Sequence, residues 1–174
     1  MKKILIVVDM QKDFVDGSLG TPEAVAIVDN VVSKIRGFDG DIIVTYDTHF
    51  DNYLSTAEGK KLPVEHCIEG TEGYELDSKV EDALQGRECL RVKKLTFGAS
   101  FLPDKVKELA GDDEISIELV GLCTDICVVS NALILKANFP EMSISVDSSC
   151  CAGVTPDTHE AALAVMRMCQ IDVI

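Results

Sequence analysis

The sequence predicts a three-layer α/β/α fold built on a six-stranded parallel sheet, and three observations support this prediction. Short β-branched runs alternate with longer amphipathic segments along the chain, which is the pattern of βαβ units. The first run, ILIVV, is apolar at successive positions, as expected of a strand covered on both sheet faces. The 174 residues suffice for one domain with a substantial core, so we expect a single domain over 1–174.

The predicted strands are short segments rich in apolar and β-branched residues. They cover Lys3–Val8, Asp41–Tyr46, Glu88–Val92, Glu114–Val120, Met142–Val146 and Ile171–Ile174. The predicted helices between them cover Pro22–Ile35, Glu75–Leu84, Pro103–Leu109, Cys127–Ala137 and Pro156–Met168. The first and last helices follow Thr21 and Thr155, each a threonine before a proline, which is a typical helix start.

Composition and charge argue against several classes of function. The formal net charge of −14 disfavours nucleic acid as a partner, because a phosphate backbone needs a basic surface. The N-terminus begins like a signal peptide with two lysines, but its apolar run stops at Asp9, and we find no membrane span. The seven cysteines lack the spacing of a disulfide framework, so we expect reduced thiols in a cytoplasmic protein.

One segment interrupts the alternation of strands and helices. From Asp47 to about Gly73 the chain shows no clean periodicity and carries two of the three histidines among acidic residues. A loop of this length inside a compact domain is usually functional. It contains an Asp-x-His pair, Asp47 and His49, which suits a divalent metal, and His66 could complete the site across the loop. An acidic loop with two solvated histidines is the alternative.

Polar side chains follow the predicted strands at the sheet edge where open parallel sheets bind ligands. These groups are Asp9 to Phe14, Asp47 to His49, Lys93 with Lys94, Gly121 to Cys127, and Asp147 to Ser149. Asp9 ends a strongly apolar strand, and burial there would raise its pKa toward the range useful for proton transfer. Alternation along the third strand should send one of the two lysines inward, without deciding which.

Cys127 lies at or near the first turn of the helix that follows the fourth strand. Free backbone N–H groups at such a position favour an anion, so we expect them to lower the pKa of the thiol. The same groups could receive an oxyanion, which suits a nucleophile. Cys123 is the rival nucleophile, and an inert buried cysteine is the alternative for either residue.

With these residues assembled, the chain resembles the isochorismatase-like cysteine hydrolases, and among them the nicotinamidases. The motifs that carry the resemblance are VVDMQKDF, TYDTHFDN, LPVEHC, KKLTFGASF and VGLCTDICV, in this order along the chain. The resemblance implies a Rossmann-like sheet and a catalytic triad of Asp9, Lys94 and Cys127. It also implies an oxyanion hole formed by the amides of Cys123 and Cys127, with a cis peptide bond between Leu122 and Cys123.

The resemblance further implies a divalent metal and a small amide substrate. The metal would be zinc, with manganese or iron as alternatives, on Asp47, His49, His66 and, as the fourth ligand, Glu58. Phe14 matches a position that stacks on the substrate ring, and Leu122 is a second predicted substrate contact. The family tends to associate, so we expect a homo-oligomer.

The expected activity is hydrolysis of nicotinamide to nicotinate and ammonia through a cysteine thioester, which would feed pyridine-nucleotide salvage. One departure weakens the pyridine-specific part, because Leu62 stands where the family often has a tryptophan, and two residues separate Pro63 from His66. Three alternatives follow: an amidase for another small amide or carbamoyl or ureido compound, an isochorismatase-type hydrolase, and a non-catalytic protein that binds a metal or a partner.

Overall fold

The computed structural model describes all residues 1–174 and contains the predicted parallel sheet. Its strands are β1 (Lys2–Val8), β2 (Asp41–Asp47), β3 (Cys89–Lys94), β4 (Ile115–Leu122), β5 (Ser143–Ala152) and β6 (Asp172–Val173). They pair in the order β3-β2-β1-β4-β5-β6, and every pairing is parallel. From β1 the strand order runs outward in one direction to β3 and in the other direction from β4 to β6. This switch point between β1 and β4 creates a crevice at the carboxyl ends of the two strands.

Seven helices connect and cover the strands. They are α1 (Lys12–Val15), α2 (Pro22–Gly37), α3 (Ala57–Lys61), α4 (Ser78–Leu84), α5 (Leu102–Ala110), α6 (Val129–Asn138) and α7 (Pro156–Met168). Apolar residues of α1, α2 and α4 form one core cluster against the sheet, and those of α5, α6 and α7 form a second. The two clusters lie on opposite faces, as the alternating side chains of buried strands require, so the three-layer prediction is confirmed.

Both predicted threonine caps are present. Thr21 Oγ1 accepts a hydrogen bond from the amide of Ala24, and Thr155 forms a reciprocal capping box with Thr158. Each cap satisfies amide groups that the first helical turn leaves without partners. The capping box at Thr155 explains why α7 begins at the predicted residue.

Three predicted details are corrected by the structure. Strand β5 continues to Ala152 past a register irregularity, so Asp147 and Ser149 lie inside the strand instead of beyond it. The segment predicted as a loop contains α3 and two 3₁₀ turns, Tyr53–Ser55 and Glu72–Tyr74. Helix α6 begins at Val129, because a π-helical turn occupies Thr124–Val128 and carries Cys127.

The carboxyl ends of the first four strands bring most of the predicted polar groups to one edge of the sheet.

None of the helices combines the length and the apolar composition needed to cross a bilayer.

Candidate active site

A cavity of about 620 Å³ opens at this edge of the sheet. Its walls are mostly apolar, with a few polar groups, which is the usual composition of a small-molecule site. The lining residues that bear on the chemistry are Phe14, Asp47, Glu58, His66, Leu122, Cys123 and Cys127.

Asp9 occupies the residue immediately after β1 and is completely buried. Its φ of +47° lies in the left-handed region, which non-glycine residues adopt at a cost of about 1–3 kcal/mol. Its Oδ1 accepts a hydrogen bond from Thr45 Oγ1 at 2.6 Å. Its Oδ2 faces Lys94 and accepts no hydrogen bond of good geometry. Burial raises the pKa of Asp9 despite the opposing charge of Lys94, as the sequence predicted.

Lys94 ends β3, and its side chain is completely buried between two carboxylates. Its Nζ lies 2.7 Å from Asp9 Oδ2 and 3.0 Å from Asp47 Oδ1. Burial alone would lower the pKa of Lys94, but Asp9, Cys127 and Asp47 outweigh it and raise the pKa, so the ammonium stays charged. Its neighbour Lys93 points to solvent and pairs with Glu69. The alternation of the strand therefore sends Lys94 inward.

Cys127 lies in the π-helical turn and is buried, with its sulfur accepting a hydrogen bond from Lys94 Nζ at 3.3 Å. The predicted lowering of its pKa is wrong. Burial and the neighbouring carboxylate of Asp9 raise the pKa of the thiol well above its ordinary value, although Lys94 opposes them. The amides of the turn do not offset the loss of solvation, so ionisation of this thiol needs a base within contact.

The peptide bond between Leu122 and Cys123 is cis, as the sequence resemblance implied. Cys123 and Cys127 both line the cavity, with Leu122 buried beside them. Burial raises the pKa of the Cys123 thiol to about 12, and its sulfur has no hydrogen bond from Lys94. The lysine contact favours Cys127 over Cys123 as the nucleophile, while the oxyanion role of the two amides stays a prediction.

The predicted metal ligands meet beside the triad. The donor atoms of Asp47, His49 and His66 lie within 4.8 Å of one another. Glu58 Oε1 lies 3.6 Å from the Nε2 atoms of both His49 and His66. Burial would raise the pKa of Asp47, but His49 and Lys94 hold it below its usual range. One carboxylate, that of Asp47, thus contacts both the histidine group and the triad lysine.

The donor set fits a divalent transition metal. His66 Nδ1 lies 2.8 Å from the carbonyl oxygen of Val64, which can only accept, so Nδ1 carries a proton and Nε2 is the ring nitrogen available to a metal. Two imidazoles and carboxylate oxygen suit zinc, and the same donors suit manganese or iron.

Phe14 lines the cavity with its ring centroid 5.4 Å from that of His66. The ring therefore borders the predicted metal group, where it can contact a planar ligand. Leu62 lines the same cavity and is 38% exposed, so the wall at that point is aliphatic. Phe97, the aromatic residue after Lys94, also lines the cavity near its mouth.

Three supporting residues had no predicted role. Gln11 is completely buried and brackets the backbone of Asp47, donating to its carbonyl at 2.9 Å and accepting from its amide at 2.8 Å. Thr45, which lies within β2, donates the hydrogen bond to Asp9 Oδ1 described above. Asp13 Oδ2 accepts a hydrogen bond at 2.8 Å from the backbone amide of Cys67, the residue after His66. Gln11 and Asp13 lie in the segment after β1 that the sequence singled out, whereas no local signal marks Thr45.

The chain is similar to characterised proteins over its full length. A family model described as the isochorismatase domain matches residues 3–174. A nicotinamidase/pyrazinamidase from Mycobacterium tuberculosis is 27% identical, with 99% of this chain and 98% of that protein covered.

Two solved structures share the fold. A nicotinamidase/pyrazinamidase from Bacillus subtilis has a TM-score of 0.83 and 28% identity, with 99% of each chain covered. A pyrazinamidase from Pyrococcus horikoshii, solved in complex with zinc, has a TM-score of 0.81 and 24% identity, with 100% of this chain and 99% of that chain covered.

Proposed function

The chain belongs to the isochorismatase family, and on that premise we propose that it is a cysteine amidohydrolase that converts nicotinamide to nicotinate and ammonia. Relatives described as nicotinamidase/pyrazinamidase support the substrate. The observation that carries the proposal is the position of Lys94 Nζ, 2.7 Å from an oxygen of Asp9 and 3.3 Å from the sulfur of Cys127 on the cavity wall.

Asp9 is the base. Its Oδ1 is occupied by Thr45, while Oδ2 has no hydrogen bond of good geometry and takes the proton of the Cys127 thiol. Burial raises the pKa of Asp9 and so makes its carboxylate a stronger base than an ordinary aspartate, which opposes the effect of burial on the pKa of the Cys127 thiol. Lys94 keeps its charge and stabilises whichever partner is the anion.

The thiolate of Cys127 attacks the carboxamide carbon, and the carbonyl oxygen becomes an oxyanion held by the amides of Cys123 and Cys127. The C–N bond breaks as Asp9 returns the proton to the departing nitrogen, which leaves as ammonia. Water then attacks the thioester while Asp9 accepts a proton from it, and the C–S bond breaks to release the carboxylic acid as Asp9 passes that proton to the sulfur and restores the thiol. The balance is one amide and one water consumed for one acid and one ammonia.

Asp47, His49, His66 and Glu58 would hold a divalent metal, which we propose to be zinc. When bound, such an ion supplies a Lewis-acid position for a ring nitrogen of the substrate. The chain itself contributes the orientation of the histidines and the apolar wall at Phe14, which excludes water from one side of the ring.

A second candidate is an amidase for another small amide, such as a carbamoyl or ureido compound. The aliphatic wall at Leu62 favours it, because a side chain without an aromatic face gives less selection for a flat ring.

Ammonia release from nicotinamide, and from a panel of small amides, tests the proposal with and without chelator. We expect Cys127→Ala to abolish turnover of nicotinamide while the fold and the metal content stay unchanged. Cys123→Ala is the matched control, since it keeps the backbone amide and should keep most of the activity. A Cys127→Ala variant with the wild-type rate would rule out the covalent route, and faster turnover of a ureido compound would favour the second candidate.

Two sequence-based expectations stay predictions, namely a homo-oligomeric assembly and a cytoplasmic location. Light scattering coupled to size-exclusion chromatography measures the assembly directly.

A further inference from the structure

We infer that Asn131 is a positioning residue that ties the turn carrying Cys127 to the loop that follows Lys94, and so sets the distance between sulfur and ammonium. The inference rests on the proposed function insofar as Cys127 is the nucleophile. Asn131 lies on α6 and is completely buried. It does not line the cavity, and it makes no hydrogen bond to a triad side chain.

The side chain of Asn131 makes three hydrogen bonds that join two elements. Its Nδ2 donates to the carbonyl of Cys127 at 2.8 Å and to the carbonyl of Phe97 at 3.3 Å. Its Oδ1 accepts from the amide of Ala99 at 2.9 Å. Both donors and the acceptor are therefore used, so the amide has one orientation that satisfies every bond.

The loop held by Asn131 also contacts the triad lysine. The carbonyl of Thr96 accepts a hydrogen bond from Lys94 Nζ at 3.3 Å, and Thr96 Oγ1 donates to the carbonyl of Gly98 at 2.7 Å. Gly98 packs directly on α6, because a Cβ there would lie 2.5 Å from Ile134 Cδ1. A continuous path of hydrogen bonds therefore runs from Lys94 to the loop, and from the loop through Asn131 to Cys127.

Asn131→Asp and Asn131→Leu test the inference, with Asn138→Asp as the matched control. Asn138 lies on the same helix and donates to the carbonyl of Ile134, but it is exposed. The readouts are kcat and KM for nicotinamide, and the rate at which iodoacetamide alkylates the thiol of Cys127, located by mass spectrometry. Alkylation needs no substrate, so it reports on the sulfur even if nicotinamide proves to be the wrong amide.

We expect both variants at Asn131 to lower kcat and the alkylation rate by about tenfold or more near neutral pH, with KM changed by less than about threefold. The loss for Asn131→Asp should shrink at acidic pH, because a protonated carboxyl group can again donate to the Cys127 carbonyl while accepting from Ala99. Asn131→Leu adds no titratable group, so comparison of the two variants across pH separates titration of the new carboxyl group from that of Cys127. The control should match wild type at every pH.

Folded variants at Asn131 with wild-type kcat and alkylation rate would overturn the inference, and so would a rise in KM alone. If Asn131→Leu does not fold, the pH dependence of the loss in Asn131→Asp decides the question. A general loss of stability would not be recovered at acidic pH, whereas the loss of a positioning hydrogen bond would be. If the wild type does not turn over nicotinamide, but the Asn131 variants still show slower alkylation of Cys127, the result would count against the proposed substrate and support the positioning role.

Discussion

Two cavities of nearly equal volume lie on this molecule, about 620 Å³ at the triad and about 610 Å³ over α2, β4 and β5. Beside each, a lysine lies between two carboxylates. In the Lys94 cluster Nζ lies 2.7 Å from Asp9 and 3.0 Å from Asp47. In the Lys34 cluster Nζ lies 2.5 Å from Glu118 and 2.8 Å from Asp147.

The second cavity even contains a buried cysteine, Cys150, whose pKa is raised to about 11, mainly by burial. Its sulfur lies 3.9 Å from the hydroxyl of Ser149 and has no hydrogen bond from Lys34. The side chain of Lys34 is 25% exposed, whereas that of Lys94 is fully buried. The comparison shows that acid, amine and thiol can lie near one cavity without contact between amine and sulfur, so the buried contact between Lys94 and Cys127 is what distinguishes the proposed triad.

The largest expected effect comes from breaking the buried cluster. Lys94→Met leaves Asp9 and Asp47 facing each other without a cation, so we expect kcat to fall by about 10³-fold or more, from loss of the charge that stabilises the thiolate. Removing one partner of a buried pair should also lower the free energy of unfolding by about 3–5 kcal/mol. Ammonia release and urea unfolding measure the two losses.

Lys93→Met is the matched control for that variant, since Lys93 is the adjacent residue and pairs with Glu69 on the surface. It should leave kcat unchanged. Equal losses in the two variants would show that β3 as a whole, and not the buried ammonium, is responsible.

The next effect concerns the support of Asp47, the carboxylate shared by the triad and the proposed metal group. Gln11→Leu removes both hydrogen bonds to the Asp47 backbone, and we expect metal affinity and kcat to fall together, each by about 10–100-fold. Calorimetric zinc titration and ammonia release measure them, with Gln85→Leu at an exposed site as control. A fall in kcat with unchanged metal affinity would contradict this role.

A smaller effect is expected at the Lys34 cluster. Lys34→Met leaves the carboxylates of Glu118 and Asp147, whose side chains are 17% and 11% exposed and so less shielded than those of the Lys94 cluster. The free energy of unfolding should therefore fall by about 1–2 kcal/mol while kcat stays unchanged. Urea denaturation measures the change. Lys79→Met, which removes an exposed pair with Asp29, should cost less than about 0.5 kcal/mol. Loss of activity in Lys34→Met would mean that the two clusters are coupled.

The smallest effect is a dependence on pH in the same cluster. Burial would raise the pKa of Asp147, but Lys34 and Ser149 outweigh it and hold the pKa below its ordinary value of 3.8. The unfolded chain then binds a proton more readily, so this stabilisation is present above about pH 4 and is lost as the pH falls through the lower folded pKa. Unfolding of wild type and Asp147→Asn between about pH 6 and 2.5 should converge at the acidic end. A gap that stays constant would argue for a packing effect instead.

The sequence predicted the sheet, the layers and most bounds of the five longer helices to within two residues, because those depend on local patterns, but it did not predict the short helices α1 and α3. Strand β5 was predicted too short, since Asp147 and Ser149 look like the start of a loop but continue the strand, with Asp147 paired to Lys34 and the hydroxyl of Ser149 donating to Asp147. The reversed expectation for the pKa of Cys127 has a similar origin. Position near a helix start is visible in the sequence, whereas the depth of burial and the contact with Asp9 are not.

By itself the sequence determined the order of strands and helices along the chain, the caps at Thr21 and Thr155, and the edge at which polar groups gather, because these follow from the spacing of apolar residues and from short-range hydrogen bonds. Strand alternation left open which of Lys93 and Lys94 faces inward, and the family resemblance selected Lys94. Only the tertiary structure decided how close Lys94 lies to the sulfur, which of two similar clusters is shielded from water, and which way the pKa of Cys127 moves. Those properties depend on distance and solvation among residues far apart in the chain, and both are set when the layers pack.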